Sequence, residues 1–153
     1  MTVIAASRPD SIDIALLVHI VGAMVLVGGL VTAAAAGILG WRGGTDALRR
    51  FSYKTLLFAA LPGWIVMRIG AQWTYSKEHL DDLPDDPTWV GIGFFTADAG
   101  GLLLLIALVV GGFGLWRLRR GGGRGLITAS AVLATVLVAA YVVAVWAMGG
   151  KPD

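Results

Sequence analysis

Four long runs of apolar residues constrain this chain more than any other feature of its sequence. A helix needs about 20 residues to cross the hydrocarbon core of a bilayer, and four segments have that length and almost no charge: 14–40, 53–75, 95–116 and 126–148. With 57% hydrophobic and only 14% charged residues, the chain has more apolar surface than a soluble domain could bury. Because the connections are short, we predict an all-α integral membrane protein, a four-helix antiparallel bundle forming one transmembrane domain over residues 1–153.

The ends of two spans are less sharply defined. Ser11 or Asp13 could cap the first helix, since both side chains can accept a hydrogen bond from its first turn. The third span could start anywhere between Trp89 and Ala97. Asp86 followed by Pro87 is a typical helix start, so the residues after it form either an interfacial turn or the first part of that span.

Charges are unevenly distributed around the spans, and the asymmetry predicts their direction. Loops 41–52 and 117–125, with the start of the second span, carry eight of the twelve basic residues and one acid. Loop 76–88 and the two ends carry eight of the ten acids and three basic residues. Lys and Arg accumulate in cytoplasmic loops. We therefore expect both basic loops in the cytoplasm, and loop 76–88 and both termini on the non-cytoplasmic side.

Small residues form a stripe along the first span at steps of three and four. Such residues let helices approach closely in lipid, where packing drives association, so this face should contact protein. Three glycines of the third span could serve in the same way at its cytoplasmic end. The stripe consists of His19, Gly22, Leu26, Gly29, Ala33 and Gly37, and the three glycines are Gly111, Gly112 and Gly114.

Few polar or ionisable side chains lie inside the spans, and each is a candidate functional residue because charge is costly in hydrocarbon. At a rise of 1.5 Å per residue, these positions lie at a similar depth, about 10 Å below the outer ends of their helices. All four spans thus offer a polar side chain to one layer near the outer face. The candidate ligand-binding residues are His19, Arg68, Gln72, Asp98 and Tyr141.

Each candidate also has a purely structural interpretation. Arg68 could extend to the outer headgroups, or it could form an ion pair with Asp98. Asp98 could cap the third helix if that helix starts near Ala97. His19 could be a packed histidine whose ring is satisfied by a neighbour rather than a ligand, and Tyr141 could be an interfacial aromatic residue.

Metal and cofactor motifs are sparse. The chain has no cysteine, which excludes thiolate metal sites and iron–sulfur clusters. His19 is the only histidine within a span, and the second, His79, lies in the acidic loop, so these two are weak candidates for a metal site. We expect no cofactor, with haem b bound through His19 as the alternative. No hydrolase, metalloprotease or phosphate-loop signature is present, so no catalytic residue is assigned.

Two segments of the chain are His19-Ile-Val-Gly-Ala-Met-Val-Leu-Val-Gly-Gly29 and the ending Trp146-Ala-Met-Gly-Gly-Lys-Pro152. Together they resemble small four-helix bacterial membrane proteins of the copper-resistance D type. They also resemble related uncharacterised membrane families. The resemblance implies a membrane bundle in a bacterial plasma membrane. It further implies a metal or haem link through His19.

These observations favour a non-enzymatic, multi-pass membrane protein with an outward-facing polar pocket, which acts as an accessory subunit or binds a small ligand or lipid headgroup. One alternative is a haem-binding electron-transfer subunit that uses His19, and another is a transporter or proton relay. The expected partners are the lipid bilayer and either another membrane protein or a second copy of the chain. Nucleic acid is not expected, because the basic residues flank hydrophobic spans.

Overall fold

The structure is a computed structural model that describes residues 13–77 and 88–150. Four helices follow one another along the chain: α1 (Ile14–Trp41), α2 (Asp46–Lys77), α3 (Thr88–Leu118) and α4 (Arg124–Gly150). Each contains a stretch that is long and apolar enough to cross a membrane. The prediction of an all-α chain with four helices able to span a bilayer is therefore confirmed.

One predicted boundary is wrong, because the second helix starts before residue 53. The segment 41–52 is not a loop, because α2 begins at Asp46 with a negative charge in its first turn, where the helix dipole favours one. The third helix already includes Thr88, so the residues after Pro87 form its first part, which is one of the two predicted alternatives. Asp13 is the cap of α1, accepting hydrogen bonds from the backbone N–H groups of residues 15 and 16. Ser11, Asp86 and Pro87 lie outside the described residues.

A wide turn interrupts α2 near its middle. Residues Leu56–Ala60 adopt π-helical geometry, and the Leu61 N–H donates to the Leu56 carbonyl five residues back. Pro62 follows directly, has no N–H to donate, and its ring would crowd the carbonyl four residues earlier in a regular α-helix. The π turn relieves this conflict without ending the helix.

Glycines make the contact between α1 and α2 a close one. A Cβ atom on Gly22 would collide with the backbone of Met67, and one on Gly70 with the backbone of His19. The Gly29 position meets Ala60 in the same way. Residue numbers thus rise along α1 as they fall along α2. The predicted small-residue stripe does face protein: five of its members are buried and His19 is half-buried.

Buried hydroxyl groups join the helices deeper in the bundle. Ser52 on α2 donates to the Ala33 carbonyl of α1 at 2.7 Å, and Ser130 on α4 donates to the Ala107 carbonyl of α3 at 2.8 Å. Gly111 leaves the space that Ser130 occupies. These bonds satisfy polar groups that would otherwise be costly in an apolar core. The core itself is Leu- and Ala-rich: Leu26, Leu30, Ala33, Leu56, Ala60, Leu104, Ala134 and Leu137.

The turn between α1 and α2 is closed by Arg49. Its Nη2 donates to the Gly40 carbonyl, and its Nη1 donates to the Gly44 carbonyl at 3.3 Å and to Asp46 at 2.7 Å. The last carbonyl groups of a helix have no partner within it, so a cation that bonds to one completes the helix end. Arg49 therefore fixes where α1 stops and how α2 leaves it.

Candidate functional site

An ion pair joins α2 to α3 among the predicted polar residues. Nη2 of Arg68 lies 3.0 Å from Oδ1 of Asp98, with 28% of the arginine side chain and 60% of the aspartate side chain exposed. The predicted ion pair is thus formed. Asp98 does not cap α3, because the helix is already formed at Thr88, ten residues earlier. The capping interpretation is wrong because a cap precedes the first turn of a helix, whereas about three turns of α3 precede Asp98.

Aromatic side chains hold the ion pair in place. Phe94 lies one turn before Asp98 on α3, and its ring centroid is 4.8 Å from the guanidinium carbon of Arg68, within range for a cation–π contact. One turn before Arg68, Trp64 donates from Nε1 to the Ala97 carbonyl at 2.8 Å. Gly101 provides the room for the Trp64 ring, since a Cβ there would overlap it.

Trp64 and Phe94 are not among the site residues predicted from the sequence. The available signal was spacing: Trp64 precedes Arg68 by four residues, and Phe94 precedes Asp98 by four. Residues four apart lie on one face of a helix. Each half of the ion pair therefore carries an aromatic neighbour on the same helix face.

Tyr141 lies on α4 beside the same part of α3. Its side chain is buried, with 6% of the residue exposed. Its hydroxyl packs against Gly100, where a Cβ would lie 2.6 Å from the oxygen. Four buried side-chain atoms in the described residues lack a hydrogen-bond partner: the Tyr141 hydroxyl and Nη1 of Arg68 near this site, and also Oγ1 of Thr74 and Nε of Arg49. Buried polar atoms are rarely left in this state.

His19 is bonded away from the ion pair. Its Nδ1 lies 3.0 Å from the Met67 carbonyl oxygen of α2. A carbonyl can only accept, so Nδ1 carries the proton and Nε2 is left as the basic nitrogen. This contact is the predicted histidine satisfied by a neighbour. It places His19 at the level of Arg68 without joining it to Arg68.

Gln72 does not take part in the ion pair. It is exposed, one turn beyond Arg68 on α2. The five predicted residues therefore divide into a linked pair, Arg68 and Asp98, a buried neighbour, Tyr141, and two side chains that are bonded or directed elsewhere.

Metal ligands do not converge in the described ranges 13–77 and 88–150. No group of three or more His, Cys, Asp or Glu side chains there could hold a metal ion. His79 lies outside those ranges, so a site that uses both histidines stays a prediction.

A second ion pair joins the start of α1 to the end of α2. Nζ of Lys77 lies 3.1 Å from Oδ1 of Asp13. The hydrogen bond from Lys77, and then the N–H of Leu16, hold the pKa of Asp13 below its ordinary value of 3.8. The carboxylate thus caps α1 and neutralises the last cation of α2.

No protein-family model matches this chain, and no curated protein or solved structure is significantly similar to it. The resemblance to proteins of the copper-resistance D type therefore stays a prediction. The contacts around Arg68, Asp98 and Tyr141 are the features from which a function can be inferred.

Proposed function

We propose that this chain is a non-enzymatic, multi-pass protein of a bacterial plasma membrane whose outer end binds a small ligand or lipid headgroup through an anionic oxygen. Arg68 is the proposed principal donor, Tyr141 the second polar contact and Asp98 the residue that positions Arg68. Such a site is compatible with a ligand-binding role. It is also compatible with an accessory subunit that binds another membrane protein or a second copy of the chain.

The proposed topology is an antiparallel bundle with both termini outside. The order of the contacts supports opposite directions for neighbouring helices: Gly22 meets Met67 while Gly29 meets Ala60, and Gly100 meets Tyr141 while Gly114 meets Ile127. The charge asymmetry supports the sidedness, because the arginine-rich turns lie at the opposite end of the helices from Arg68.

The observation that carries the proposal is the pair of unsatisfied polar atoms, Arg68 Nη1 and the Tyr141 hydroxyl. An unpartnered buried donor costs about 1–3 kcal/mol, and more when it is charged. Asp98 occupies Nη2 of Arg68 but leaves Nη1 without an acceptor. A ligand oxygen on Nη1 would remove that cost.

The chemistry of the donors indicates the kind of ligand. A guanidinium group offers planar N–H donors and no acceptor, and it suits carboxylate and phosphate oxygens. A tyrosine hydroxyl can donate to the same group. Arg68 is partly exposed beside an exposed aspartate, so a ligand can approach the ion pair from the membrane surface or the outer leaflet. Nη1 and the Tyr141 hydroxyl are themselves buried, so a ligand must displace neighbouring side chains to reach them. No nucleophile and base are in contact there, so the proposed role is binding without chemistry.

Native mass spectrometry of the detergent-purified protein tests the proposal. We expect wild type to retain an acidic adduct, and Arg68→Gln to weaken it about tenfold, the effect of losing one charge-assisted hydrogen bond. Tyr141→Phe should weaken it less. Arg50→Gln is the matched control, an exposed arginine on the same helix. If Arg68→Gln and Tyr141→Phe both retain the adduct like wild type, the proposal is wrong.

A haem-binding electron-transfer subunit is the second candidate, and the His19 tautomer favours it. Histidines that bind iron commonly donate from one ring nitrogen to a carbonyl and bind through the other. The bond from Nδ1 to Met67 leaves Nε2 in that state. An optical spectrum before and after dithionite decides between the candidates. A reducible haem band that disappears in His19→Ala would support the second candidate, and a colourless protein would exclude it.

Transport or proton relay has less support. It would need polar side chains free to act along the rest of the bundle. The buried hydroxyls of Ser52 and Ser130 are instead bonded to backbone carbonyls.

A further inference from the structure

The turn between α3 and α4 carries positive charge that the described residues do not balance. Arg117, Arg119 and Arg120 have no acidic partner within residues 13–77 and 88–150. The nearby Asp46 is shared between Arg49 and Arg124. Fixed positive charge at a membrane surface attracts anions.

Two of these arginines are held on aromatic rings. The Phe113 and Trp116 rings stack with centroids 5.3 Å apart. The guanidinium carbon of Arg120 lies 4.0 Å from the centroid of Trp116, and that of Arg117 lies 5.9 Å from the centroid of Phe113. An aromatic ring beside a guanidinium group does not use its N–H donors, so these remain for an anion.

The same side chains line a half-open groove at the surface. This groove of about 440 Å³ is lined by Phe113, Trp116, Arg117, Arg120 and Gly122. Gly121 has a φ of 84°, a backbone conformation that glycine adopts without strain. This allows the Gly122 N–H to donate back to the Arg117 carbonyl at 3.0 Å. The turn thereby occupies a carbonyl oxygen at the end of α3 that would otherwise repel an anion.

An exposed apolar track continues from the groove along α3. Phe113, Val109, Ile106 and Leu102 follow at steps of three and four, and all are exposed. Residues at this spacing form one stripe on a helix. A soluble anion would use only the arginines, whereas a phospholipid would also cover this stripe with an acyl chain.

We propose that this groove is a binding site for an anionic phospholipid. The headgroup phosphate lies between Arg117 and Arg120, and one acyl chain lies along the Val109 stripe. The site is at the opposite end of the bundle from Arg68, so it is independent of the function proposed above.

Lipid titration followed by native mass spectrometry tests the site, using phosphatidylglycerol and phosphatidylcholine with identical acyl chains. We expect wild type to prefer phosphatidylglycerol. Arg120→Gln should weaken its binding about fivefold, the effect of one basic residue at an anionic surface, and the Arg117→Gln/Arg120→Gln variant should weaken it further. Arg119→Gln is the matched control: it removes the same charge from the same turn but does not line the groove.

Three outcomes would overturn the proposal. Equal binding of the two lipids would show that headgroup charge is not read. An equal loss of phosphatidylglycerol binding in Arg119→Gln and Arg120→Gln would show that overall charge, and not the groove, determines the binding. Displacement of the lipid by millimolar inorganic phosphate would indicate a soluble-anion site. In an Arg68→Gln background, which removes any lipid held at the other end of the bundle, Arg120→Gln should cause the same loss, and this separates failure here from failure of the site proposed above.

Discussion

Arg49 lies in the first turn of α2 and Arg68 lies well inside the same helix, and the two arginines are used in different ways. Only 11% of the Arg49 side chain is exposed, and its terminal nitrogens donate to two backbone carbonyls and to Asp46. Arg68 is more exposed, binds one carboxylate across to α3, and leaves Nη1 without an acceptor.

The difference shows what distinguishes a structural arginine from a candidate binding residue. Arg49 lies at a helix end, where unpaired carbonyl oxygens accept its donors, so its binding capacity at the terminal nitrogens is used within the fold. Arg68 lies in mid-helix, where the carbonyl groups are already bonded along the helix. Only side chains or a ligand can satisfy it. The surroundings, and not the residue type, decide the role.

Among the substitutions that test this difference, the one at Arg49 should have the largest effect on stability. Arg49→Ala removes the bonds to Gly40, Gly44 and Asp46, and we expect a loss of about 3 kcal/mol in the free energy of unfolding. Unfolding by denaturant titration in detergent micelles measures it. Arg50→Ala, an exposed neighbour, should stay within about 0.5 kcal/mol of wild type. Similar losses in both variants would mean that Arg49 contributes only its charge.

A smaller effect is expected at the Arg68–Asp98 pair. Arg68→Gln and Asp98→Asn each leave one charge unpaired in a span, so each should destabilise the protein by about 1–2 kcal/mol, and the double variant by less than either. Melting of all three variants in detergent gives the coupling. Arg49→Ala combined with Asp98→Asn is the control and should be additive. Additive losses at Arg68 and Asp98 as well would contradict the pairing.

Much of the fold could be predicted because membrane spans are recognisable in the sequence as continuous apolar runs. The α1 stripe could be found for a related reason, since small residues at steps of three and four need no knowledge of the partner helix. Hydropathy, however, marks where a chain enters apolar surroundings and not where its helix starts. Asp46–Thr55 is polar and helical, so the start of α2 was predicted too late.

The candidate site could be predicted only in part. Similar depth suggested that Arg68 and Asp98 could meet, and the ion pair confirms this. The rotation of each helix about its axis was not available from the sequence. That rotation directs His19 to the Met67 carbonyl and the Tyr141 hydroxyl to Gly100. The sequence indicates Arg49 only as a charge of a cytoplasmic loop, because its carbonyl partners depend on the geometry of a four-residue turn.

The smallest expected effect is at the exposed pair between Asp13 and Lys77. The pKa of Asp13 is lowered in the folded protein, chiefly by Lys77 and next by the Leu16 N–H. The folded state therefore binds this proton less readily than the unfolded state. The stabilising contribution of the Asp13 carboxylate is complete above its ordinary pKa of 3.8. It is lost as the pH falls through the lower pKa of the folded state.

Melting of wild type and Asp13→Asn between about pH 6 and pH 3 measures this contribution. Asparagine can still cap α1 but does not titrate, so the small advantage of wild type near neutral pH should shrink on acidification. Lys77→Gln should shift that loss to higher pH, because it removes the main cause of the lowered pKa. A pH-independent difference would assign the Asp13 effect to capping alone. If Asp13→Asn destabilised the protein as much as Arg49→Ala does, burial would not determine the relative contributions of the ion pairs to stability.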